Sequence, residues 1–492
     1  MVRKNIANNY IYNLLYQILT ILTPLITTPL LSRVLGADGA GTVSFMESVV
    51  SYFVLLASMG TAIFGQREIS YVQDDKGKRT IIFWEVVVFQ IITTFIASIA
   101  YILFSFYQFD TNLYMVLIFN IFAVSADVSW FFQGIEEFGK VVLRNVLLKC
   151  INIVFIYLFV RTKDDLIWYM LGHSFCNFLC NLSLWFYLPK YVGKPIWREI
   201  TPTRNIKSII SLFIPTVAVQ VYTVLDKTMI GVITQNSYEN GYYEEAIKLT
   251  KLVMTIVTAL CTVMVPRIGY EYEKGNQEEI QRLMYTCYRT VWMLGVPLCI
   301  GLTMVASNFV PWFFGDGFDK VIHLLGILSP IIIAIGISST TGTQYLIPTK
   351  REKTVTATVV AGAVINFLLN IFLIREYGSE GAAVASVITE TVVSVVQLFL
   401  VRKELNLMRI IKEGTTYFAA GGIMGLGLYL TVGRLSPSFF HTFILVGIGA
   451  LIYFVFLLVI KDELFMSLLL QVYGAFNKVA KKSKQETVRD GK

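Results

Sequence analysis

The groups in this chain that could do chemistry are a few charges placed inside long apolar runs. Asp127, Lys149, Asp226, Lys227 and Glu390 each lie within a stretch long enough to cross a bilayer. A charge at the centre of such a span costs about 2.5–3.5 kcal/mol on the insertion scale, so each needs a reason to be there. A base at that depth can attract an anionic group such as a phosphate. A carboxylate can take up a proton or a cation, or pair with a neighbouring base. The other reactive residue types assemble no site. Cys150, Cys176, Cys180, Cys261, Cys287 and Cys299 lie in or near apolar runs and form no CxxC, which suits small packing residues. His173, His323 and His441 lack metal-ligand spacing. No Walker loop, nucleophile elbow or HExxH motif occurs. The chain reads as a non-enzyme with no metal and no cofactor, and nothing in it hydrolyses ATP.

Neutral polar residues form stripes beside these charges. In the first span Asn9, Asn13, Gln17, Thr20, Pro24 and Thr27 recur at steps of three or four, which is one helical face. A lipid-facing helix has no use for such a face, whereas a helix lining a wet cavity does. Pro24 and Pro29 favour a kink. Thr216, Gln220, Thr223 and Lys227 repeat the pattern in the seventh span, and His173, Asn177 and Asn181 form a third stripe in the sixth. Asn13, Gln17, His173, Asn177 and Gln220 are therefore candidate cavity residues. Neighbours on a helix do not share a face, so Lys227 is expected toward the cavity and Asp226 against another helix. Snorkelling to the surface is the alternative for Lys227. Asp127 and Lys149 sit at similar depth on a helical hairpin. They can pair and lock it, or Lys149 can face the cavity and attract an anionic headgroup. Glu390, with Asn366 and Asn370 in the preceding span, is a candidate proton or cation site or a protonated acid bonded to a neighbouring helix. Arg67 and Arg267 sit where the second and eighth spans reach the cytoplasm, at a cavity mouth or as ordinary positive-inside anchors.

Such residues need a scaffold that crosses the membrane many times. Of 492 residues 55% are hydrophobic and 15% charged, with a formal net charge of +8; the mean hydropathy is +0.64. Soluble domains hold about 25% charged residues, so composition alone points to a membrane protein. The bases sit in short loops between apolar runs, which is topology rather than a nucleic-acid patch. The first run is too long for a signal peptide and lacks a small-residue cleavage site. Fourteen spans are predicted, at 10–32, 42–63, 81–106, 112–132, 142–160, 166–188, 206–230, 247–266, 286–306, 321–343, 355–374, 381–401, 415–433 and 440–460. An even number puts both termini on one side. With that side cytoplasmic, the inside segments hold 31 Lys and Arg and the outside segments 8, which sets the orientation. The basic tail after Phe476 then anchors to the inner leaflet.

The chain also echoes itself. Gln17-Ile-Leu-Thr20 answers Gln220-Val-Tyr-Thr223, and Asn152 with Arg161 answers Asn366 with Arg375. Arg33-x-x-Gly36-x-Asp38-Gly39 answers Arg375-x-x-Gly378-x-Glu380-Gly381. The expected architecture is an all-α polytopic membrane protein of about 14 transmembrane helices. It has two pseudo-symmetric six-helix lobes, 1–205 and 206–413, then two further helices and the tail in 414–492. Parallel repeats of this kind carry a substrate path between them. Gly421, Gly422, Gly425 and Gly427 suit close helix packing.

The runs PLLSRVLGADGAG and Gly60-Thr-Ala-Ile-Phe-Gly-Gln-Arg-Glu68 resemble the oligosaccharide flippase family. This is the polysaccharide-transporter branch of the multidrug/oligosaccharidyl-lipid/polysaccharide superfamily. SADVSWFFQGIEEFGKVVLRN (125–145), LFIPTVAVQVYTVLDKTMIG (212–231), Gly241-Tyr-Tyr-Glu-Glu-Ala246, TQYLIPTKREK (343–353) and YGSEGAAVASVITE (377–390) carry the same likeness, over nearly the whole chain. The resemblance implies a V-shaped, MATE-like transporter of the bacterial plasma membrane working by alternating access. It implies an undecaprenyl-diphosphate-linked repeat unit as substrate, moved to the outer leaflet for capsule, exopolysaccharide or teichoic-type synthesis. Membrane lipids and the polysaccharide polymerase machinery are its other implied partners. Coupling to the membrane potential, protons or Na+ is left open. Relatives that flip lipid II use arginines in the N-terminal lobe; this sequence has none in the first span before Arg33, so those roles do not transfer.

Arg67, Lys149, Lys227 and Arg267 form the expected anion-attracting set, and Asp127, Asp226 and Glu390 the ion-coupling or pairing acids. Those acids keep a cation-coupled drug antiporter of the same fold as an alternative. A membrane glycan polymerase or ligase would need a large outside loop with catalytic Arg or His, and the longest outside segment here is 231–246.

Overall fold

The computed structural model describes residues 6–262 and 264–470; the side chains of residues 6–18, 21, 215, 218, 219 and 260–262 are outside that description. The described residues form helices and turns with no strand. In order, the helices are α1 (Ile6–Ser58), α2 (Thr61–Tyr71), α3 (Lys76–Phe106), α4 (Thr111–Val116), α5 (Ile118–Ala126) and α6 (Ser129–Gly134). Next come α7 (Phe138–Phe159), α8 (Leu166–Ser183), α9 (Ile206–Thr234), α10 (Ser237–Thr262), α11 (Val265–Glu273) and α12 (Gln277–Phe314). The last are α13 (Asp319–Leu328), α14 (Ile331–Ser339), α15 (Glu352–Tyr377), α16 (Ser379–Leu400), α17 (Leu407–Val432) and α18 (Phe439–Val459). Among the described residues, ten helical stretches are long and apolar enough to cross a membrane. The chain is an all-α, multi-pass membrane protein. The predicted spans 1 and 2 fall in one stretch that is kinked at Gly36, and spans 6, 7 and 8 correspond to α8, α9 and α10, outside those ten.

α1 differs from expectation at Gly36–Gly41. The sequence marks Gly36–Gly41 as a turn closing the first span; here it shrinks to Gly36, which alone leaves helical geometry at φ 66°, a region open to a residue without Cβ. Helix resumes at once because the residues beyond are small enough to press backbone on backbone against α10. A Cβ on Gly41 would lie 1.7 Å from the Ser237 carbonyl oxygen, and one on Gly241 2.0 Å from that of Ala37. Gly378 repeats the device at φ +58°, so the sequence echo between Arg33–Gly39 and Arg375–Gly381 is an echo of backbone shape. Within α1 the Thr23 and Thr27 hydroxyls donate to the carbonyls of Leu19 and Thr23 at 2.7 and 3.0 Å. Part of the polar stripe thus serves its own helix around the two prolines.

The chain divides into two compact units. The first takes in residues 1–245, 314–320 and 363–385; the second takes in 246–313, 321–362 and 386–492. The first unit has an aromatic core of Phe64, Phe83, Trp130, Phe131 and Phe132, walled by Trp84 and Trp185. In it α1 meets α9 through Tyr52 Oη and Ser48 Oγ, which bond Thr228 Oγ1 at 3.0 and 2.9 Å.

The second unit is built around Met284, Tyr288, Ile332 and Leu346. Here the glycines of α17 pack as expected: a Cβ on Gly421 would fall 2.7 Å from Val296, and one on Gly427 2.5 Å from Ile452. Gly422 instead faces open space. Between the spans, Arg351 grips Glu404 with two bonds of 2.9 and 2.8 Å, and Tyr345 Oη donates to the same carboxylate at 2.7 Å. Burial opposes the Glu404 charge, but Arg351 and Tyr345 outweigh it and hold the carboxyl below the usual carboxylate range. A depressed carboxylate stabilises the fold above its unfolded-state pKa, near 4.3, and that contribution disappears as pH falls through the lower folded-state value. The pair is about one-third exposed, so it is worth about 1 kcal/mol or less. In a thermal scan from pH 7 to pH 3, Glu404→Gln should begin slightly less stable than the wild type and lose less; parallel curves would contradict this assignment.

Candidate functional site

The first unit holds Asp127, Lys149, His173, Asn177, Gln220, Asp226 and Lys227. Lys149 on α7 reaches across to α1, and its Nζ donates to Thr20 Oγ1 at 2.6 Å. A membrane lysine and the polar stripe of the first span therefore meet. The side chains of Asn13 and Gln17, on that same stripe, lie outside the described residues. His173 and Asn177 are half-buried on α8, His173 stacked on Tyr169 with ring centres 6.2 Å apart. Asn181 is buried, donating to the Ala123 carbonyl at 2.9 Å and accepting from Arg144 at 2.8 Å. Gln220 is half-buried on α9.

Of the two alternatives for Asp127 and Lys149, the ion pair is not the one formed. Arg144 takes the Asp127 carboxylate at 3.0 Å. The cause is local: the predicted fourth span breaks at Asp127, whose backbone is extended at φ −78°, ψ 108°, leaving α5 and α6 as separate pieces. Asp127 Oδ1 accepts the Ser129 N–H at 2.9 Å and so caps the second piece. Carbonyls freed by a break in the membrane must find donors. Trp185 Nε1 donates to the Ala126 oxygen at 2.8 Å, Trp130 Nε1 to the Asp127 oxygen at 3.1 Å, and Gln90 Nε2 to the Val124 oxygen. In the sequence Arg144 stands only as one more inside cation. Its role was legible in one respect: it shares the run 125–145 with Asp127, across the tip of a hairpin.

Asp226 and Lys227 diverge, as neighbours on a helix must. Asp226 is bound by Tyr243 Oη of α10 at 2.5 Å and by Asn370 Nδ2 of α15 at 2.7 Å, and Asn370 also donates to Asn366 at 3.1 Å. Lys227 forms an ion pair of 2.5 Å with Glu244, which also accepts from Ser44 Oγ at 3.2 Å. Arg67 pairs with Glu68 and, in the second unit, Arg267 with Glu271, each at 2.8 Å. Glu390 is half-buried on α16.

One cluster has no counterpart in the sequence reading. Glu239, in the first turn of α10, accepts Lys320 Nζ on both oxygens at 2.8 Å, the Ser379 N–H at 2.8 Å and the Ser379 hydroxyl at 2.7 Å. Burial opposes its charge, but Lys320 and Ser379 outweigh it and keep the carboxyl below the usual carboxylate range. It caps α16 from a different helix, filling the space that a Cβ on Gly378 would need. Two residues earlier, Ser237 Oγ donates to Asp38 on α1. The first turn of α10 thus binds both echoed turns at once. Glu239 sits in a short loop-side stretch with no periodicity, so only the glycines that receive it were visible in advance.

The helical fold that carries these groups has known counterparts. A solved structure of lipid II flippase MurJ, in an inward closed conformation, shares the fold with a TM-score of 0.75 over 92% of this chain and 99% of that one, at 18% identity. An inward-facing multidrug resistance MATE family transporter of the MOP superfamily follows with a TM-score of 0.61, 14% identity, and 80% and 96% of the two chains covered. Among curated sequences, the "Putative O-antigen transporter" of Escherichia coli (strain K12) is 24% identical over 408 residues, which is 81% of this chain and 97% of that protein. Residues 6–270 match the family described as Polysaccharide biosynthesis protein. That match spans more than half of the chain, which therefore belongs to the polysaccharide biosynthesis protein family.

Proposed function

We propose that this protein is a flippase for a lipid-linked oligosaccharide, carrying the sugar head from the cytoplasmic to the outer leaflet by alternating access. In this reading the carrier lipid is undecaprenyl diphosphate and the glycan serves a surface polysaccharide of capsule, exopolysaccharide or teichoic type. Both termini are cytoplasmic, and the protein delivers its product to polymerase machinery. The problem it solves is one of solvation. A hydroxyl stripped of water costs about 4–8 kcal/mol in hydrocarbon, so a head of several sugars cannot cross unaided. Hydroxyl and amide side chains along the path replace that water, while the lipid tail stays in the bilayer. Carrying negative charge outward across an inside-negative membrane is favourable by about 2.3 kcal/mol per charge per 100 mV, so the potential can help drive the step.

The observation that carries the reading is Lys149 held at membrane depth against Thr20 of the polar first helix. A lysine that donates to a hydroxyl of the polar stripe can exchange that bond for a diphosphate oxygen. Arg67, Lys227 and Arg267, proposed with it, each carry a carboxylate partner and would have to exchange it for substrate.

The test uses the purified protein in liposomes with a lipid-linked oligosaccharide and a leaflet-sensitive probe. Lys149→Gln should slow transfer about tenfold to a hundredfold, the worth of one bond to a charged group, while Lys149→Arg retains most activity. Wild-type rates in Lys149→Gln and in the Gln variants of Arg67, Lys227 and Arg267 would remove the anion-binding set. Asp226, gripped by Tyr243 and Asn370, favours a second reading in which a proton or Na+ drives the cycle or exchanges for a drug. Dye efflux by the same liposomes separates the antiporter from the flippase.

A further inference from the structure

A polar cavity of about 570 Å3 lies in the first unit where the end of α9 meets the turn between α15 and α16. Its size is that of a small-ligand pocket, about 300–1,000 Å3. Its floor is already satisfied, being the Glu239–Lys320 pair fixed beneath Gly378. Its walls are not. Arg375, Glu376 and Glu380 line it, and none has a hydrogen-bond or ion-pair partner among the described residues. Asn236 spends its Oδ1 on the Tyr238 N–H at 3.0 Å, and its amide nitrogen has no such partner. Tyr377 stands at the rim, 62% exposed.

The chemistry of these walls selects among ligands. Three carboxylates against two bases disfavour a bare phosphate. The described residues contain no group of three His, Cys, Asp or Glu able to hold a metal. What remains is a ligand offering many hydroxyl donors and acceptors at close spacing, with an apolar face. Adjacent hydroxyls can donate to Glu376 and Glu380 and accept from Arg375 and Asn236. A sugar ring can lie on Tyr377.

We propose that this cavity is a saccharide subsite that holds part of the glycan head on the face that the charge asymmetry assigns to the outside. The inference rests on the flippase reading and adds to it a place of sugar recognition away from Lys149. The test uses the full-length protein in lipid nanodiscs. The probe is the free oligosaccharide released by mild acid from the cells' own lipid-linked pool, and binding is followed by saturation-transfer NMR titration. Glu380→Gln and Arg375→Gln should each weaken binding about tenfold, the size of one bond to a charged group, whereas Gly422→Ala, in the second unit, leaves it unchanged. Both variants alter solvated side chains, and an unchanged size-exclusion profile confirms their folding. Unchanged affinity in both, or no binding by a wild type that flips substrate in liposomes, overturns the subsite and leaves the flippase reading intact. Binding that is weakened by Glu380→Gln in a protein that flips nothing has the opposite meaning: the subsite holds and the transport reading fails.

Discussion

Gly41→Ala is expected to leave little folded protein. The added Cβ would stand 1.7 Å from the Ser237 carbonyl oxygen and 2.6 Å from the Gly241 nitrogen. Both are backbone atoms of a helix, so neither can turn aside as a flexible side chain would. The two helices must move apart, and with them the hydrogen bond from Ser237 to Asp38. Overpacking a core costs about 1–3 kcal/mol and occasionally more; an obstacle made of backbone places this case at or above the upper end. Gly241→Ala meets the same wall from the other side, 2.0 Å from the Ala37 oxygen. Because both disturb one crossing, the double variant should cost less than the two added together. Gly422→Ala is the control: nothing lies within 4 Å of its new methyl, and alanine is the better helix former by about 1 kcal/mol. Thermal unfolding in detergent reads all four variants, and a Gly41→Ala protein melting with the wild type would refute the crossing.

Arg144→Ala should be the most damaging change of a charged residue in the first unit. Its side chain is only 12% exposed, and its removal strands both the Asp127 carboxylate and the Asn181 amide oxygen. Breaking a buried pair costs about 3–5 kcal/mol because the remaining charge is left uncompensated. Asp127 is 32% exposed, so about 3 kcal/mol is expected. The mechanism is checked by a second change. Asp127→Asn keeps an oxygen to cap Ser129 while removing the charge, so combined with Arg144→Gln it should recover more than half of the loss. Equal damage in the single and double variants would mean that the guanidinium matters for packing rather than for the carboxylate. Lys149→Gln, which changes a side chain five residues further along α7 that donates to Thr20, should melt close to the wild type.

Comparison of these residues shows what a sequence can display. Period and hydropathy identified the helices, because a span must satisfy every backbone bond within itself and so writes an unbroken apolar run. The echo around Gly36 and Gly378 was legible because positive φ selects glycine. The divergence of Asp226 from Lys227 followed from helical geometry alone. The pairing of Asp127 could not be read in the same way. Depth along a hairpin pointed to Lys149 and passed over Arg144, and the choice was made by a helix break whose only trace is an aspartate that doubles as a cap. Glu239 was hidden for a related reason. Its partners, Lys320 and Ser379, come from distant helices, and nothing local marks a carboxylate that will cap another segment. The turn predicted over Gly36–Gly41 was overdrawn because glycine signals both turns and close backbone contact, and here one of the three serves the first and Gly41 the second.

The divided fourth span also bears on how the protein is made. Synthesis delivers Asp127 to the membrane before Arg144 exists, and for that interval an acid with no base faces a penalty of about 2.5–3.5 kcal/mol. The Asn181 amide, which shields the Ala123 oxygen beside the break, emerges later still. This stretch therefore has little reason to leave the insertion channel by itself. It should wait there until α7 and α8 follow, and ribosome-bound chains from which Gly134 has just emerged should stay crosslinked to the insertion machinery when chains from which Ser183 has emerged have been released.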